Sequence, residues 1–322
     1  MPEPDTAILH PMPRTMRVML LSFLWAAAAT ELRLTAQEAF ASDGDLHTEH
    51  GTLAVAVIET NKIVLAIDSR ITRNPLGTNT QSRSFEDGFE KINLLSPDIA
   101  FFVTGTVRLD SRRFTNSLDE TARSLAREWE SEKRPLQLDA FVAEFKDRTE
   151  MSLLRLSMGD IYFLHLGAQK YGGSNVFTAV FTGKDLDGSF RLVKVVCSSV
   201  VDTNARPVVA RLDFEVAEEK AVRGRKFLFF GSTKIFDQAT TEPKSRLGRA
   251  FQQIRSSQTF LTEPIAAALL DLAVRETGVG PDSPVGYPLF VYTSDSDGFT
   301  LARKVKAGEG VPFDPARQGG KQ

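Results

Sequence analysis

Residues 51–70 read Gly-Thr-Leu-Ala-Val-Ala-Val-Ile-Glu-Thr-Asn-Lys-Ile-Val-Leu-Ala-Ile-Asp-Ser-Arg. The stretch contains two apolar runs rich in β-branched residues, Leu53–Ile58 and Ile63–Ile67, and a short polar segment separates them. Apolar runs joined in this way are typical of a β-hairpin. The stretch therefore predicts two paired strands, and the second strand ends at the acidic residue Asp68.

Two more apolar segments follow this hairpin, Lys91–Leu95 and Ile99–Val103, and the second ends at Thr104-Gly105. Together with the hairpin they resemble the opening of the proteasome β-subunit family of N-terminal nucleophile hydrolases. In that family a Gly-Thr bond is cut to expose a catalytic threonine, an aspartate ends the second strand in an Asp-Ser-Arg motif, and a lysine begins the third strand. The resemblance extends over most of residues 52–305, by motif at first and then by the order of elements.

The intervals between residues assign the family's functional positions. With the catalytic threonine at Thr52, the family's aspartate falls on Asp68 and its substrate-contacting threonine on Thr72, without a gap. The interval from Lys91 to Gly105 equals that from the family's lysine to the glycine that borders the substrate cleft. The segment between Thr72 and Lys91 is longer than is usual in the family, so we interpret it as an insertion that shapes either a substrate pocket or a contact with a neighbour.

A second alignment is open. Thr52-Leu53-Ala54 also matches the end of the family's common Thr-Thr-Thr-Leu-Ala opening, which would put His50 at the nucleophile position and predict an inactive protein. We adopt the first alignment because it keeps the hairpin free of gaps. Each residue type singled out is also common in structural positions, so the hypothesis depends on their joint spacing.

The resemblance implies a role for each residue. A threonine hydroxyl needs a nearby base, and an N-terminal threonine can use its own α-amino group, which has an ordinary pKa of about 7.7–8.0. Lys91 would favour the developing alkoxide, and Asp68 would keep Lys91 protonated. The amide at Gly105 would donate to the oxyanion, and Thr72 would help to bind an extended peptide by strand addition.

The second half of the chain matches the family less well. A glycine and Ser232 follow an apolar run, as in the family, and Asp282 lies where the family has a supporting aspartate. Val285 stands where the family's serine belongs, and Tyr287 replaces a glycine. Ser283 is a candidate substitute for that serine. The hydrogen-bond network that would hold the threonine amine is therefore left open.

The first part of the chain has the composition of an export signal. Arg14 and Arg17 precede an apolar run over residues 18–29, which is shorter than a membrane span and predicts a signal peptide within residues 1–41. An uncleaved membrane anchor is the alternative. Residues 42–51 are polar and acidic, and we expect a short propeptide or linker outside the folded domain, with His47 and His50 solvated rather than metal-bound. The protein is thus expected to be secreted or periplasmic.

Composition weakens the case for several functional classes. A net charge of −2 over 322 residues gives no reason to expect nucleic-acid binding, and no membrane contact is expected once the leader is removed. Outside the leader the only histidine is His165, in a predicted strand, so serine–histidine and cysteine–histidine mechanisms have little support. The single cysteine, Cys197, lies in an apolar run and is expected to be buried. No metal or cofactor motif is complete.

Element order completes the fold prediction. Helical periodicity after Gly105 predicts two helices, over residues 114–129 and 138–145, and two more are expected near 245–256 and 263–276. Strands are predicted at 161–166, 175–182, 190–196, 207–216, 226–230, 287–293 and 299–304, and a disordered tail at 306–322. Two separate helix pairs and sheets with one apolar face predict an α+β fold for residues 52–305, in the form of the family's four-layer αββα sandwich.

These expectations converge on a threonine-type peptidase that processes itself at Gly51–Thr52 and acts on peptide or protein substrates. A homo-oligomer is expected by analogy with the family. Two alternatives stay open. One is a catalytically inactive structural or binding protein of the same fold, and the other is an acylase that cuts a small amide.

Overall fold

The computed structural model describes residues 46–309 except for 51, 60, 77–83, 111–114, 171–172, 185–187, 189, 203, 206–208, 221–224, 232–235, 237–240, 257–261, 278–282 and 284. The predicted signal peptide, Gly51 and residues 310–322 of the predicted tail lie outside the described residues. Within them, helices and antiparallel sheets occur together, so the predicted α+β class is confirmed.

The larger of two sheets has nine strands, and the main path runs in the order β11-β10-β9-β7-β1-β4-β5, with β6 and β8 also paired to β7. Each pairing in it is antiparallel. Its strands are β1 Leu46–His50, β4 Ile71–Leu76, β5 Ser84–Glu86, β6 Asn93–Ser96, β7 Ile99–Asp110, β8 Thr115–Ser117, β9 Asn175–Lys184, β10 Phe190–Asp202 and β11 Val209–Lys220.

The smaller sheet has five antiparallel strands in the order β12-β2-β3-β13-β14. The predicted hairpin forms its centre, because β2 pairs with β3 from Ala54 opposite Ile67 to Ile58 opposite Ile63. Its strands are β2 Ala54–Ile58, β3 Ile63–Ile67, β12 Lys226–Phe230, β13 Leu289–Asp295 and β14 Gly298–Val305.

Helices fall into two groups along the chain. The first group follows β8 and the second follows β12. They are α1 Leu118–Ser131, α2 Leu138–Leu153, α3 Met158–Lys170, α4 Arg246–Ser256 and α5 Thr262–Thr277. Ser117 caps α1, since its side-chain oxygen accepts a hydrogen bond from the Glu120 amide.

The two sheets pack on each other through one apolar cluster. Alternate residues of the strands enter it, as expected for a two-residue repeat. Phe102 of β7 and Phe230 of β12 meet there edge to face with ring centroids 5.4 Å apart. The cluster also contains Ala54, Ala56, Ile58, Ile63, Leu65, Ile67, Ile92, Ala100, Val180, Phe190, Leu192, Phe290, Tyr292 and Phe299.

The opposite face of each sheet packs against helices. On the smaller sheet, Val55, Val57 and Val64 share a buried cluster with the apolar residues of α5 and with Leu247 and Ala250 of α4. On the larger sheet, an aromatic cluster joins the first helix group to β7 and β9, and it consists of Phe101, Trp129, Phe141, Phe145 and Phe181. The central strands of both sheets are therefore buried on two faces, whereas the edge strands β5 and β11 are largely exposed.

One predicted strand is wrong. Residues 161–166 belong to helix α3, so His165 is a helical residue. The helix begins with a reciprocal cap, in which the Asp160 amide donates to Ser157 Oγ at 3.1 Å and the Ser157 amide donates to Asp160 Oδ2 at 3.0 Å. The aromatic and β-branched residues of this apolar run favour a strand by composition, but Ile161 and Leu164 are buried at helical spacing. The first helix group thus has three members rather than two.

Two further expectations change. The strand that was expected to close at Gly105 continues to Asp110 and is followed by β8, so Gly105 lies inside a strand. Residues 46–50, placed outside the folded domain by their polarity, form β1 between β4 and β7. Their backbone groups are satisfied by two neighbours, and this long-range pairing outweighs the weak local preference of a polar segment.

Candidate active site

Asp68 lies at the end of β3 and is fully buried. Its Oδ1 accepts hydrogen bonds from the Leu53 amide at 2.7 Å and from Lys91 Nζ at 2.9 Å. Its Oδ2 accepts from the Arg70 amide at 3.1 Å and from the Gly286 amide at 3.4 Å. A buried carboxylate needs such a set of donors, and these four come from four separate segments of the chain.

Thr52 is held beside this carboxylate through its neighbour. The Leu53 carbonyl also accepts from the Asp68 amide at 3.1 Å, so Leu53 is fixed on both of its polar groups. Thr52 is buried. Gly231 lies directly against it, because a Cβ added at Gly231 would come within 1.8 Å of the Thr52 carbonyl oxygen. Gly231 has a φ of +97°, so both its conformation and its contact require glycine.

Lys91 precedes β6 and has an almost fully buried side chain. Burial lowers the pKa of Lys91 from its ordinary value, and the nearby charge of Asp68 and its hydrogen bond act in the opposite direction. Asp68 therefore favours the protonated amine, but burial is the larger effect and the pKa of Lys91 is lowered overall. A lysine with a lowered pKa gives up a proton more readily than a solvated lysine does.

Another acidic residue, Asp119 in the first turn of α1, acts electrostatically on the same lysine. Burial raises the pKa of Asp119 to about 6, although Arg123, Asn93 and Lys91 act to lower it. Arg123 Nε donates to Asn93 Oδ1 at 2.7 Å, and Asn93 follows Lys91 closely. Sequence analysis missed Asp119, because an acidic residue after Ser117 is also a common helix start.

Arg70 clamps the loops around Asp68. Its guanidinium donates to Asp87 with both Nε, at 2.6 Å, and Nη2, at 2.7 Å, and Nη1 donates to the Ser283 carbonyl at 3.0 Å. The clamp leaves no room at Gly286, where a Cβ would lie 2.7 Å from Arg70 Nε. Neither Arg70 nor Asp87 was identified from sequence, although the Asp-Ser-Arg motif contains the arginine.

Ser283, the candidate substitute for the family's serine, is buried. It contacts the site through its backbone, by accepting from Arg70, whereas its Oγ accepts from the Val285 amide at 3.4 Å. Ser283 thus supports the position of Arg70. The other two predicted supporting residues, Ser232 and Asp282, lie outside the described residues.

Strand β1 ends two residues before Thr52 in the sequence and is paired on both sides. In the β1–β4 pairing His50 is opposite Thr72, and in the β1–β7 pairing His50 is opposite Thr106. Because β1 and β7 are antiparallel, Gly105, which precedes Thr106, lies on the side of His50 that is toward Thr52. It has a φ of +85°, and a Cβ there would come within 2.6 Å of a β9 carbonyl oxygen. The two predicted cleft residues, Thr72 and Gly105, therefore border the strand that precedes Thr52.

The hydroxyl of Thr72 is buried and has no hydrogen-bond partner within the described part of the chain. Buried hydroxyl groups are usually paired, so this group has an unused hydrogen-bonding capacity next to β1. The structure thus brings Thr52, Asp68 and Lys91 together, and places Thr72 and Gly105 on the two strands that flank β1.

The described residues were also searched for metal sites, membrane spans and other candidate catalytic side chains. No group of three or more metal-ligating side chains occurs among the described residues, and none of the described helices is long and apolar enough to cross a membrane. Cys197 is buried as expected, and burial raises the pKa of its thiol. His165 forms hydrogen bonds with Gln169 of its own helix α3 and with Ser199 of β10.

The chain was also compared with known proteins. No protein-family model matches it, and a search of curated proteins finds no significant match.

Proposed function

We propose that the protein is a proteasome-like, threonine-type N-terminal nucleophile hydrolase that cleaves its own chain at Gly51–Thr52 and then cleaves amide bonds in peptides. The observation that carries this proposal is the contact set of Asp68. Its Oδ1 accepts from both the Leu53 amide and Lys91 Nζ, so a buried acid–lysine pair adjoins the residue that would become the N-terminus.

The layer order supports the same family. Helices α1 and α2, the nine-stranded sheet, the five-stranded sheet and helices α4–α5 follow one another through shared buried clusters. We propose that this arrangement is the four-layer αββα sandwich of the N-terminal nucleophile hydrolases. Fold alone does not fix activity, so the proposal depends mainly on the site.

Self-cleavage would begin with attack of Thr52 Oγ on the carbonyl carbon of the preceding peptide bond. The Oγ proton is transferred to the Thr52 nitrogen as the C–N bond breaks, and the leader is left as an ester on Oγ. Water then hydrolyses the ester, which releases the leader as a carboxylate and restores the hydroxyl. Lys91 would stabilise the negative charge that develops on Oγ, and the Gly105 amide would donate to the oxyanion of the tetrahedral intermediate.

Peptide cleavage would use the same groups once Thr52 has a free amine. The amine would accept the Oγ proton as Oγ attacks the substrate carbonyl, and would return it to the leaving nitrogen. Water would then hydrolyse the acyl-enzyme. Removal of β1 would leave an opening one strand wide between β4 and β7, which fits an extended peptide better than a small amide. This feature favours a peptidase over an acylase.

The decisive experiment is the intact mass and N-terminal sequence of the purified protein as wild type, Thr52→Ala and Thr52→Ser. We expect wild type and Thr52→Ser to begin at residue 52, and Thr52→Ala to retain the residues before it. If all three proteins begin at the same upstream residue, self-processing is wrong. The protein would then be a binding or structural protein in which β1 is a permanent strand.

A further inference from the structure

Strand β1 carries one acidic side chain, Glu49, between two arginines. Glu49 is directly opposite Arg73 on β4 and directly opposite Arg108 on β7. Opposed residues of antiparallel strands project to the same face, with Cβ atoms about 4.5–5.5 Å apart. The gap between β4 and β7 is therefore bordered by a positive charge on each side at this one level.

The charge pairing is direct on one side. Arg73 Nε donates to Glu49 Oε1 at 2.9 Å, and the Glu49 side chain is only 22% exposed. The preceding residue, Thr48, points to the other face and is 1% exposed. Glu49 is thus the residue of β1 whose charge meets an opposite charge on a neighbouring strand.

Three other acidic residues interact with Glu49 or with the two arginines. Arg73 also pairs with Glu86 of β5, at 2.9 Å, and Arg108 Nε donates to Asp110 of its own strand at 2.6 Å. Asp119 of α1 is close enough to Glu49 for the two charges to repel. Neither arginine is therefore dedicated to Glu49, and we expect a preference for an acidic residue rather than an absolute requirement.

We propose that the gap between β4 and β7 selects a strand that has an acidic residue at the level of Glu49, and that Arg73 and Arg108 recognise this residue. The meaning of this preference for substrates rests on the proposed hydrolase function. In a hydrolase that cuts Gly51–Thr52, the Glu49 position is the third residue before the cleaved bond. Preferred substrates would then be peptides with Asp or Glu at that position.

Recognition can be measured without hydrolysis. In the full chain carrying Thr52→Ala, hydrogen exchange of the residue 46–50 amides reports how tightly β1 is held. We expect Glu49→Gln to lower the protection by about threefold and Glu49→Lys by about tenfold or more, in line with cross-strand charge pairs. Adding Arg73→Glu to Glu49→Lys should restore most of the loss. Glu215→Lys, on exposed residue 215 of the edge strand β11, is the matched control and should change nothing.

The outcomes separate this inference from the proposed function. Equal protection in Thr52→Ala and in Thr52→Ala with Glu49→Lys, or a charge swap that restores nothing, would overturn recognition by Arg73 whether or not the protein is an enzyme. For the processed wild-type protein, the probes are Leu-His-Thr-Glu-His-Gly-aminocoumarin and its Gln and Lys counterparts at the Glu position. Equal cleavage of all three overturns the acidic preference, whereas cleavage of none counts against the hydrolase and leaves the exchange result to decide recognition.

Discussion

The backbone amide of Leu53 and Oδ1 of Asp68 lie 2.7 Å apart, and the Leu53 carbonyl in turn accepts from the Asp68 amide at 3.1 Å. These two bonds join the segment before β2 to the end of β3. Because the same Oδ1 accepts from Lys91, the position of the backbone next to Thr52 depends on a buried ion pair. Changes to that pair should therefore affect both stability and processing.

Lys91→Met should leave Asp68 as a buried carboxylate without its counter-charge. We expect the free energy of unfolding to fall by roughly 3–5 kcal/mol, measured by urea denaturation, and self-cleavage to stop. Asp68→Asn combined with Lys91→Met removes both charges and should be more stable than Lys91→Met alone, yet equally unable to process itself. A double variant as unstable as the sum of the single variants would show that the two residues are not coupled.

Gly231→Ala should displace Thr52, because the new Cβ would lie 1.8 Å from the Thr52 carbonyl oxygen. We expect a loss of more than about 2 kcal/mol in the free energy of unfolding and a loss of self-cleavage. Gly88→Ala is the matched control, since Gly88 has a similar φ of +84° but no atom within 4 Å of the added Cβ. It should cost only about 1–2 kcal/mol for the backbone conformation and leave processing intact. Similar results for both variants would contradict the contact.

Arg70→Lys should open the clamp around Asp68. Lysine cannot reproduce the two parallel bonds to Asp87 together with the bond to the Ser283 carbonyl. We expect a loss of about 2–3 kcal/mol in the free energy of unfolding by urea denaturation. Arg211→Lys, which alters an exposed pair with Asp213 on β11, should change the same quantity by less than about 0.5 kcal/mol. Equal losses would mean that the clamp adds nothing to an ordinary surface pair.

Asp119 gives the protein a pH-dependent component of stability. Its pKa is raised from 3.8 to about 6 in the folded state, so the folded state binds the proton more tightly and stability falls as pH rises across this interval. Asp119→Asn removes this component. Its stability relative to wild type should therefore increase by up to about 3 kcal/mol between pH 4 and pH 7, and stay constant above pH 7. Urea denaturation at four pH values measures this difference, and a pH-independent difference would contradict the shifted pKa.

The approach of the backbone next to Thr52 to Asp68 could be predicted from the sequence because a hairpin with a short turn fixes its own register, whereas the roles of these residues come only from the family resemblance. The same local logic located β12 and α5 to within a few residues. Sequence spacing does not specify which side chains approach from distant segments. Asp119 and Asp87 lie on α1 and in the segment interpreted as an insertion, and the electrostatic interaction of Asp119 with Lys91 and the ion pair of Asp87 with Arg70 exist only in the folded chain.

The predictions for the residues of strand β1 and helix α3 were wrong for different reasons. Strand β1 is short and mostly polar, and its strand conformation depends on pairing with the flanking strands β4 and β7. Helix α3 had a usable local signal, since Ser157 and Asp160 have the spacing of a reciprocal helix cap. The aromatic and β-branched residues of the helix favoured the prediction of a strand over this signal.

The place of β1 in the sheet has a consequence for the architecture of a processed molecule. In the strand order, β4 and β5 reach β7 through β1, so loss of β1 would divide the sheet into two unequal parts. Any peptide that entered would then act as a temporary structural member that bridges the parts. By mass action, the bound peptide would stabilise the protein by an amount that grows with the logarithm of its free concentration once this exceeds the Kd. A processed molecule would thus have a continuous larger sheet only while a substrate peptide is bound between β4 and β7.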